Sequence, residues 1–252
     1  MGGYFLMLGN IELYQWIILV ICAVLIGINK TGIPGLGPLP VVLLALSFPT
    51  AKSTGIQLIM LCMADLMAIV YYRKKANWNI ILKLIPFALC GIALGSFVMR
   101  RFSDGDLKIA IAVIILVMVG LNFVRRKFLK PDTIPSHWIF SLLIGLAAGF
   151  STQVANAAGP VMAIYLLSMQ LPKEEYLGTG AWYFMILNHL KLPVFIWEGR
   201  IVLESLFIDL CMIPFIVGGA FLGVLIAKKM SQEHFEFVVQ LLIVISAIKL
   251  LF

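Results

Sequence analysis

The chain has 252 residues, of which 62% are hydrophobic and 12% charged, and its mean hydropathy is +1.05. Soluble domains carry about 25% charged residues, so this composition excludes a soluble globular protein and predicts an all-α integral membrane protein. The length allows roughly eight to ten hydrophobic segments of about 20 residues each, which leaves no room for a separate soluble domain.

The formal net charge of +7 would suggest a nucleic-acid partner in a soluble protein. Here the basic residues cluster between hydrophobic runs, at 73–75, 100–101 and 125–130. Cytoplasmic loops that follow the positive-inside rule explain these clusters, and we expect no nucleic-acid partner. The N-terminus has no basic region ahead of its first apolar run, so we expect no cleaved signal peptide.

Four cysteines are isolated in apolar runs without the spacing of a metal site or a disulfide framework. We interpret them as small buried hydrophobic residues and expect neither a metal nor another cofactor. They are Cys22, Cys62, Cys90 and Cys211.

Five hydrophobic segments make up the first half of the chain. The second of them, 39–48, has ten residues and is too short to cross a bilayer alone. It is therefore predicted to be a half-helix or the return arm of a re-entrant hairpin, and the sequence leaves both open. The five segments are 13–28, 39–48, 53–72, 80–99 and 107–124.

A Gly- and Pro-rich stretch, 27–38, interrupts the membrane segments with the sequence Gly-Ile-Asn-Lys-Thr-Gly-Ile-Pro-Gly-Leu-Gly-Pro. Gly and Pro end regular helix, and the backbone groups that they free need partners in protein or in a polar cavity. The residues whose backbone would form this break are Gly32, Gly35, Gly37 and Pro38.

The second half repeats this order. Residues 149–160 read Gly-Phe-Ser-Thr-Gln-Val-Ala-Asn-Ala-Ala-Gly-Pro, offset by 122 residues from the first break, and end in Gly159 and Pro160. Pro214, Gly219 and Gly223 likewise follow Pro86, Gly91 and Gly95 at an offset of 128. The segments of this half are 138–150, 161–169, 176–197, 202–227 and 235–252.

The polar linker 125–136 places a boundary between two repeats of one membrane domain, 1–130 and 131–252. In each half the two segments that flank the break return the chain to the side it left, and three further spans follow. The second half then enters from the opposite side, which is an inverted repeat. Paired broken segments in two such halves indicate the binding site of a transporter.

The buried cations and polar groups near the breaks are candidate substrate ligands. Lys30 could meet an anion beside the half-helix N-termini, or it could extend to the interface as a topology anchor. Lys191 and Asn188 share one helical face, or they mark an interfacial helix end. The neutral donors could instead cap frayed helices. The predicted substrate-binding set is Asn29, Lys30, Thr31, Thr152, Gln153, Asn156, Asn188 and Lys191, with Ser151 as a further neutral donor.

Two residues are candidates for coupling transport to an ion. An intramembrane carboxylate marks an ion or proton path, or it pairs with a basic group, and Asp65 could pair with Lys30. His189 could relay protons, although a lone helical histidine is more often a satisfied packing residue. No motif of an enzyme nucleophile, metalloprotease or P-loop is present, so the sequence predicts that the protein is not an enzyme.

Three ordered motifs resemble the sulfite exporter TauE/SafE family of membrane permeases. They are the first break continued through 39–46, the second break with Gly159-Pro160, and the stretch 180–193, which resembles the family's Asn-x-x-Lys segment at Asn188 and Lys191. The second motif departs from the family, because polar Ser-Thr-Gln and Asn-Ala-Ala replace a more glycine-rich run.

The resemblance implies transport of sulfite, sulfonates or related sulfur-containing organic anions across the plasma membrane of a bacterium or archaeon. It also suggests coupling to a proton or sodium gradient, by a multi-pass secondary transporter. A passive anion channel is the first alternative, and an intramembrane enzyme or scaffold is a weaker one. The sequence leaves open which anion is carried, the direction of transport and whether the protein forms a homo-oligomer.

Overall fold

A computed structural model describes residues 11–32, 36–72, 74–128, 138–169 and 171–229, and these residues form an all-helical bundle. Nine α-helices follow one another along the described chain. They are α1 (Leu13–Thr31), α2 (Pro38–Ser47), α3 (Thr50–Tyr72), α4 (Trp78–Met99), α5 (Asp104–Phe128), α6 (Trp138–Ala155), α7 (Gly159–Ser168), α8 (Lys173–Trp197) and α9 (Leu203–Lys229).

Five of these helices, α1, α3, α4, α6 and α9, are long and apolar enough to cross a membrane. The prediction of a membrane-embedded, all-α protein is therefore confirmed. The predicted segment 235–252, the linker residues 129–136, and Pro34 and Gly35 of the first break lie outside the described residues. Helix α5 extends into the predicted linker as far as Phe128.

Helices α2 and α7 each have ten residues. At about 1.5 Å of rise per residue each covers roughly half of a hydrocarbon core about 30 Å thick. They begin at the residues that end the two Gly/Pro motifs, Pro38 and Gly159. Both short segments are therefore helices of ten residues, and each begins at the end of its Gly/Pro motif.

The helices that lead into the breaks run further than the sequence predicted. Helix α1 continues to Thr31 and α6 to Ala155, beyond the predicted ends at 28 and 150. The polar residues that were assigned to the breaks therefore lie mostly on the last helical turns. The physical reason is that each last turn packs against a helix of the other half, which stabilises helix that the local sequence would let fray.

The most extensive pairings among the described helices cross between the halves: α4 packs on α6, and α9 packs on α1. Glycines allow this close approach, as expected for small-residue interfaces in membranes. A β-carbon at Gly149 would overlap the carbonyl oxygen of Ala88, and one at Gly27 would overlap that of Ile216. The contact positions in the two pairings differ by the offsets of 122 and 128 that the sequence shows.

The same equivalence holds at two further glycines. Gly91 approaches Leu146, as Gly219 approaches Val24. Gly95 approaches Gln153, as Gly223 approaches Thr31. These matched contacts support the repeat that the sequence predicts.

The bundle has two ends, named here after one residue at each. At the Lys75 end, Lys75 forms an ion pair with Glu174 at the start of α8 (Nζ–Oε2, 3.0 Å). At the Arg200 end, the loop between α8 and α9 packs with Arg200 against Gly55 of α3.

Helices α1 and α6 stop towards opposite ends of the bundle. The Tyr72 hydroxyl, near the Lys75 end, donates to the Thr31 carbonyl oxygen at 2.9 Å. Gln153, near the end of α6, contacts Glu198 at the Arg200 end. Equivalent helices that point in opposite directions are what an inverted repeat requires.

A valine at Gly219 is expected to prevent stable packing of α9 on α1, because its side chain would overlap the Val24 backbone. Overpacking typically costs about 1–3 kcal/mol and more against rigid backbone. The control is Gly218→Val, since a β-carbon at this adjacent, exposed glycine meets nothing within 4 Å. Thermal unfolding in detergent should show a large loss for Gly219→Val alone. Equal melting of the two variants would contradict the packing described here.

Candidate functional site

A cavity of about 90 Å³ lies where the two breaks face each other, and we call it the central cavity. Both half-helix starts contribute to its wall, through Gly37, Pro38 and Gly159. Five of the predicted substrate ligands line it: Asn29, Lys30, Thr152, Asn156 and Asn188. The tertiary fold thus brings residues from both halves to one small, partly polar space.

Lys30 and Asn188 both engage the carboxylate of Asp65. The Lys30 ammonium lies 2.5 Å from Asp65 Oδ1, and the Asn188 amide donates to Oδ2 at 2.6 Å. Asp65 is fully buried and the Lys30 side chain is 9% exposed, so Lys30 does not extend to the interface. Lys30 also lies over the Phe184 ring, 4.5 Å from its centroid. The predicted pairing of Lys30 with Asp65 is present.

Asp65 and Asn188 occupy matching positions in the two halves, 123 residues apart. Two residues related by an approximate two-fold axis can touch only where that axis passes between them. A direct hydrogen bond between them is the contact that the predicted inverted repeat would produce beside its axis. In an inverted-repeat transporter the region beside the axis is the expected position of the substrate.

Lys191 bonds to residues of the second break and does not itself line the central cavity. Its ammonium donates to the carbonyl oxygen of Thr152 at 3.0 Å, to the Thr152 hydroxyl at 2.9 Å and to Asn156 Oδ1 at 2.8 Å. The side chain is fully buried, which excludes the interfacial position that the sequence left open. All three of these described acceptors are neutral.

Asn156 adopts a left-handed backbone, with φ of 51°, at the point where α6 ends. Asn tolerates this region better than other residues with a β-carbon. Its amide nitrogen donates to the Thr54 carbonyl oxygen at 2.9 Å, while its amide oxygen accepts from Lys191. Asn156 therefore ties the second break to α3 and α8 together.

Two predicted ligands point away from the central cavity. The Thr31 hydroxyl lies within hydrogen-bond distance of the carbonyl oxygens of Gly27 (3.1 Å) and Ala220 (2.7 Å), so it joins α1 to α9. Gln153 donates to Ser96 at 2.8 Å and contacts Glu198. Gly32 packs tightly against Gly223 and serves helix contact rather than the cavity.

The predicted coupling residue His189 bonds within its own helix, with Nδ1 2.8 Å from the Met185 carbonyl oxygen. Ser151 also bonds locally, to the Ala148 carbonyl oxygen at 3.2 Å. These contacts match the packing and capping alternatives that the sequence raised. Pro160 lies in the first turn of α7, next to Gly159 in the cavity wall.

The structure adds buried charged residues that the sequence analysis did not single out. Asp209 on α9 is fully buried, and neither carboxylate oxygen has a hydrogen-bond partner among the described residues. Arg200 and Glu198 form a buried ion pair at 2.6 Å. A carboxylate inside a membrane-length apolar segment was the available signal for Asp209, and the same signal identified Asp65.

The charges around the central cavity favour an anion. Two lysines lie at or beside the central cavity. Lys30 is paired with Asp65, and the described hydrogen-bond acceptors of Lys191 are neutral. An ammonium group that keeps its charge at low dielectric attracts an anion. Among the described residues, no group of three or more His, Cys, Asp or Glu side chains could hold a metal ion.

Comparison with known proteins gives one match. A family model described as Sulfite exporter TauE/SafE matches residues 7–250, nearly the whole chain. Neither the search of curated proteins nor that of solved structures found a match. The family consists of membrane permeases, which agrees with the membrane-length helices and the cationic central cavity. The chain belongs to the sulfite exporter TauE/SafE family.

Proposed function

We propose that this membrane transporter carries sulfite, a sulfonate or a related sulfur-containing organic anion as a secondary carrier. The observation that supports it most directly is the Lys30 ammonium in the wall of the cavity where the two breaks meet, with the Lys191 ammonium bonded beside it to Thr152 and Asn156. The bound anion would meet the Lys30 ammonium and the amide groups of Asn29 and Asn188 in the cavity wall. Backbone N–H groups at the starts of α2 and α7 add partial positive charge there.

Alternating access accounts for the arrangement better than an open channel does. The part of α8 that lines the central cavity runs from Tyr176 to Asn188, on the Lys75 side. On the Arg200 side, the contact between Glu198 and Gln153 would be the closed gate. Rocking of one repeat against the other would open that side and close the first.

Coupling to a proton or sodium gradient would need a carboxylate that can bind and release a proton or a sodium ion. Asp65 pairs with Lys30 and accepts a hydrogen bond from Asn188. It would balance the charge of Lys30 when no anion is bound, and it would lose this pairing when an anion binds Lys30. Asp209 has no described partner, and a bare buried carboxylate is costly unless it binds a proton or cation. We therefore add Asp209 to Asp65 as a candidate coupling group, ahead of His189.

Flux of radiolabelled sulfite in proteoliposomes, with and without an imposed pH or sodium gradient, tests this function. We expect saturable flux that one gradient drives uphill and that sulfonates inhibit. Asp209→Asn should leave downhill exchange in place and remove the uphill component. Downhill flux alone in the wild-type protein would indicate a passive pathway, and no flux with any of these anions would contradict the substrate class.

The membrane that fits this proposal is the plasma membrane of a bacterium or archaeon. The basic Lys75 end would face the cytoplasm under the positive-inside rule. Accessibility of an introduced cysteine at Lys74 to an impermeant thiol reagent, in intact cells and in inverted vesicles, tests this orientation.

A further inference from the structure

A second cavity, of about 390 Å³, lies at the Arg200 end of the bundle, and we call it the loop-end cavity. It shares no lining residue with the central cavity. Two guanidinium groups, Arg100 and Arg200, line it together with one carboxylate, Glu198. The described charges of this cavity therefore favour an anionic ligand.

Arg200 is buried, and only some of its N–H groups have strong hydrogen-bond acceptors. It pairs with Glu198 at 2.6 Å and donates to the Gln153 carbonyl oxygen at 3.0 Å. Its third described hydrogen-bond contact is the thioether sulfur of Met99, 2.6 Å from Nη2. A guanidinium has five N–H donors, and a thioether is a weak acceptor. An oxyanion could replace that contact with stronger, charge-assisted hydrogen bonds.

Arg100 is the second cation of this cavity. Its guanidinium carbon lies 3.9 Å from the centroid of the Trp197 ring, and Trp197 also lines the cavity. Trp197 is largely exposed, so it can report on what enters this space.

A short chain of contacts links the loop-end cavity to the central site, although the two cavities share no lining residue. Thr152 and Gln153 are adjacent on α6, and they bond to Lys191 on one side and to Glu198 on the other. The buried ring of Phe195 lies close to both cations, 5.3 Å from Lys191 Nζ and 4.2 Å from Arg200 Cζ. An anion that leaves Lys191 towards this end would therefore meet Arg200 next.

We propose that Arg200 and Arg100 form a second binding site for a small oxyanion, on the route between the central cavity and the Arg200 end. Glu198 is the counter-ion that holds Arg200 when this site is empty, and it releases the guanidinium to the anion. The inference rests on the proposed anion transport for its ligand class and its place on the route, while binding at this site can be measured without transport.

Quenching of Trp197 fluorescence by iodide tests this site, with the full chain in nanodiscs and Trp197→Phe protein as the background. Iodide is an anionic quencher and acrylamide a neutral one. We expect saturable iodide quenching of Trp197 that sulfite or methanesulfonate reduces, and acrylamide quenching that neither anion changes. Non-saturating iodide quenching that resists both anions would overturn the proposal.

Removing the positive charge of Arg200 should remove the saturable iodide quenching of Trp197. The variant Arg200→Gln/Glu198→Gln keeps the buried pair neutral, which protects folding, and it should weaken iodide binding by about tenfold, as expected for a lost hydrogen bond to a charged group. Arg101→Gln is the control, because Arg101 is exposed and lies over Phe97 outside this cavity. Unchanged iodide affinity in the double variant would contradict the assignment.

Lys191→Met separates this site from the central one, because it should keep the Trp197 signal. If the wild-type protein shows the Arg200-dependent signal but moves no anion, the second site stands and the proposed transport fails. If the wild-type protein transports sulfite and the double variant binds iodide normally, transport stands and the second site fails.

Discussion

Lys191→Met is expected to reduce anion transport by roughly 100-fold or more, on the scale of losing one partner of a buried charged interaction. The substitution keeps the length of the side chain and removes the ammonium that bonds Thr152 and Asn156. It also removes a positive charge whose described hydrogen-bond acceptors are neutral. Initial rates of sulfite uptake into proteoliposomes, normalised to reconstituted protein, measure the effect.

The same substitution at two other lysines completes this experiment. Lys30→Met should also abolish transport, because it removes the cation in the wall of the central cavity. Lys83→Met should transport normally, since Lys83 is exposed on α4 and away from the cavity. All three variants should insert into the membrane. Wild-type rates in both Lys30→Met and Lys191→Met would contradict the proposed site.

Asp65→Leu is expected to destabilise the protein by about 3–5 kcal/mol, the usual result of removing one partner of a buried ion pair. Lys30 would lose its carboxylate, and the Asn188 amide would lose its acceptor. The melting temperature in detergent, followed by size-exclusion chromatography, measures this loss. Asp65→Asn is the milder comparison, since it keeps the shape and one acceptor oxygen.

The double variant Lys30→Met/Asp65→Leu separates stability from transport. Without either charge, no uncompensated ion is left in the pair, so we expect most of the melting temperature to return. Transport should stay absent, because the cation that faces the cavity is gone. A double variant no more stable than Asp65→Leu would show that the ion pair is not what Asp65 contributes to the fold.

The two halves share their helices but not their charges. Lys30 on the first break matches Thr152 on the second, and Asp65 on α3 matches Asn188 on α8. Lys191 matches Ala68 at the same offset as the Asp65 and Asn188 pair. The first predicted repeat therefore contributes both members of the Lys30–Asp65 ion pair, and the second contributes Asn188 and Lys191.

The sequence allows only some of the contacts between the two halves to be predicted. The offset of 123 between Asp65 and Asn188 is visible in the sequence, but their contact depends on how the helices of the two halves pack together. In the same way, α6 runs on past 150 because Gly145 and Gly149 lie against α4. The local sequence Ser-Thr-Gln beside a break does not show this packing. The sequence alone therefore predicted a helix end that comes too early.

By itself, the sequence determined the membrane class, the all-helical architecture, the two breaks and the resemblance that the family match confirms. These follow from hydropathy, segment length and Gly/Pro placement, which are local properties of the chain. Only the tertiary structure decided which polar residues share the cavity, turned Thr31 and Gln153 away from it, and brought Arg200 against Gln153 and Met99. Those outcomes depend on contacts between residues tens to hundreds of positions apart, where burial and charge pairing, rather than local pattern, set the free energy.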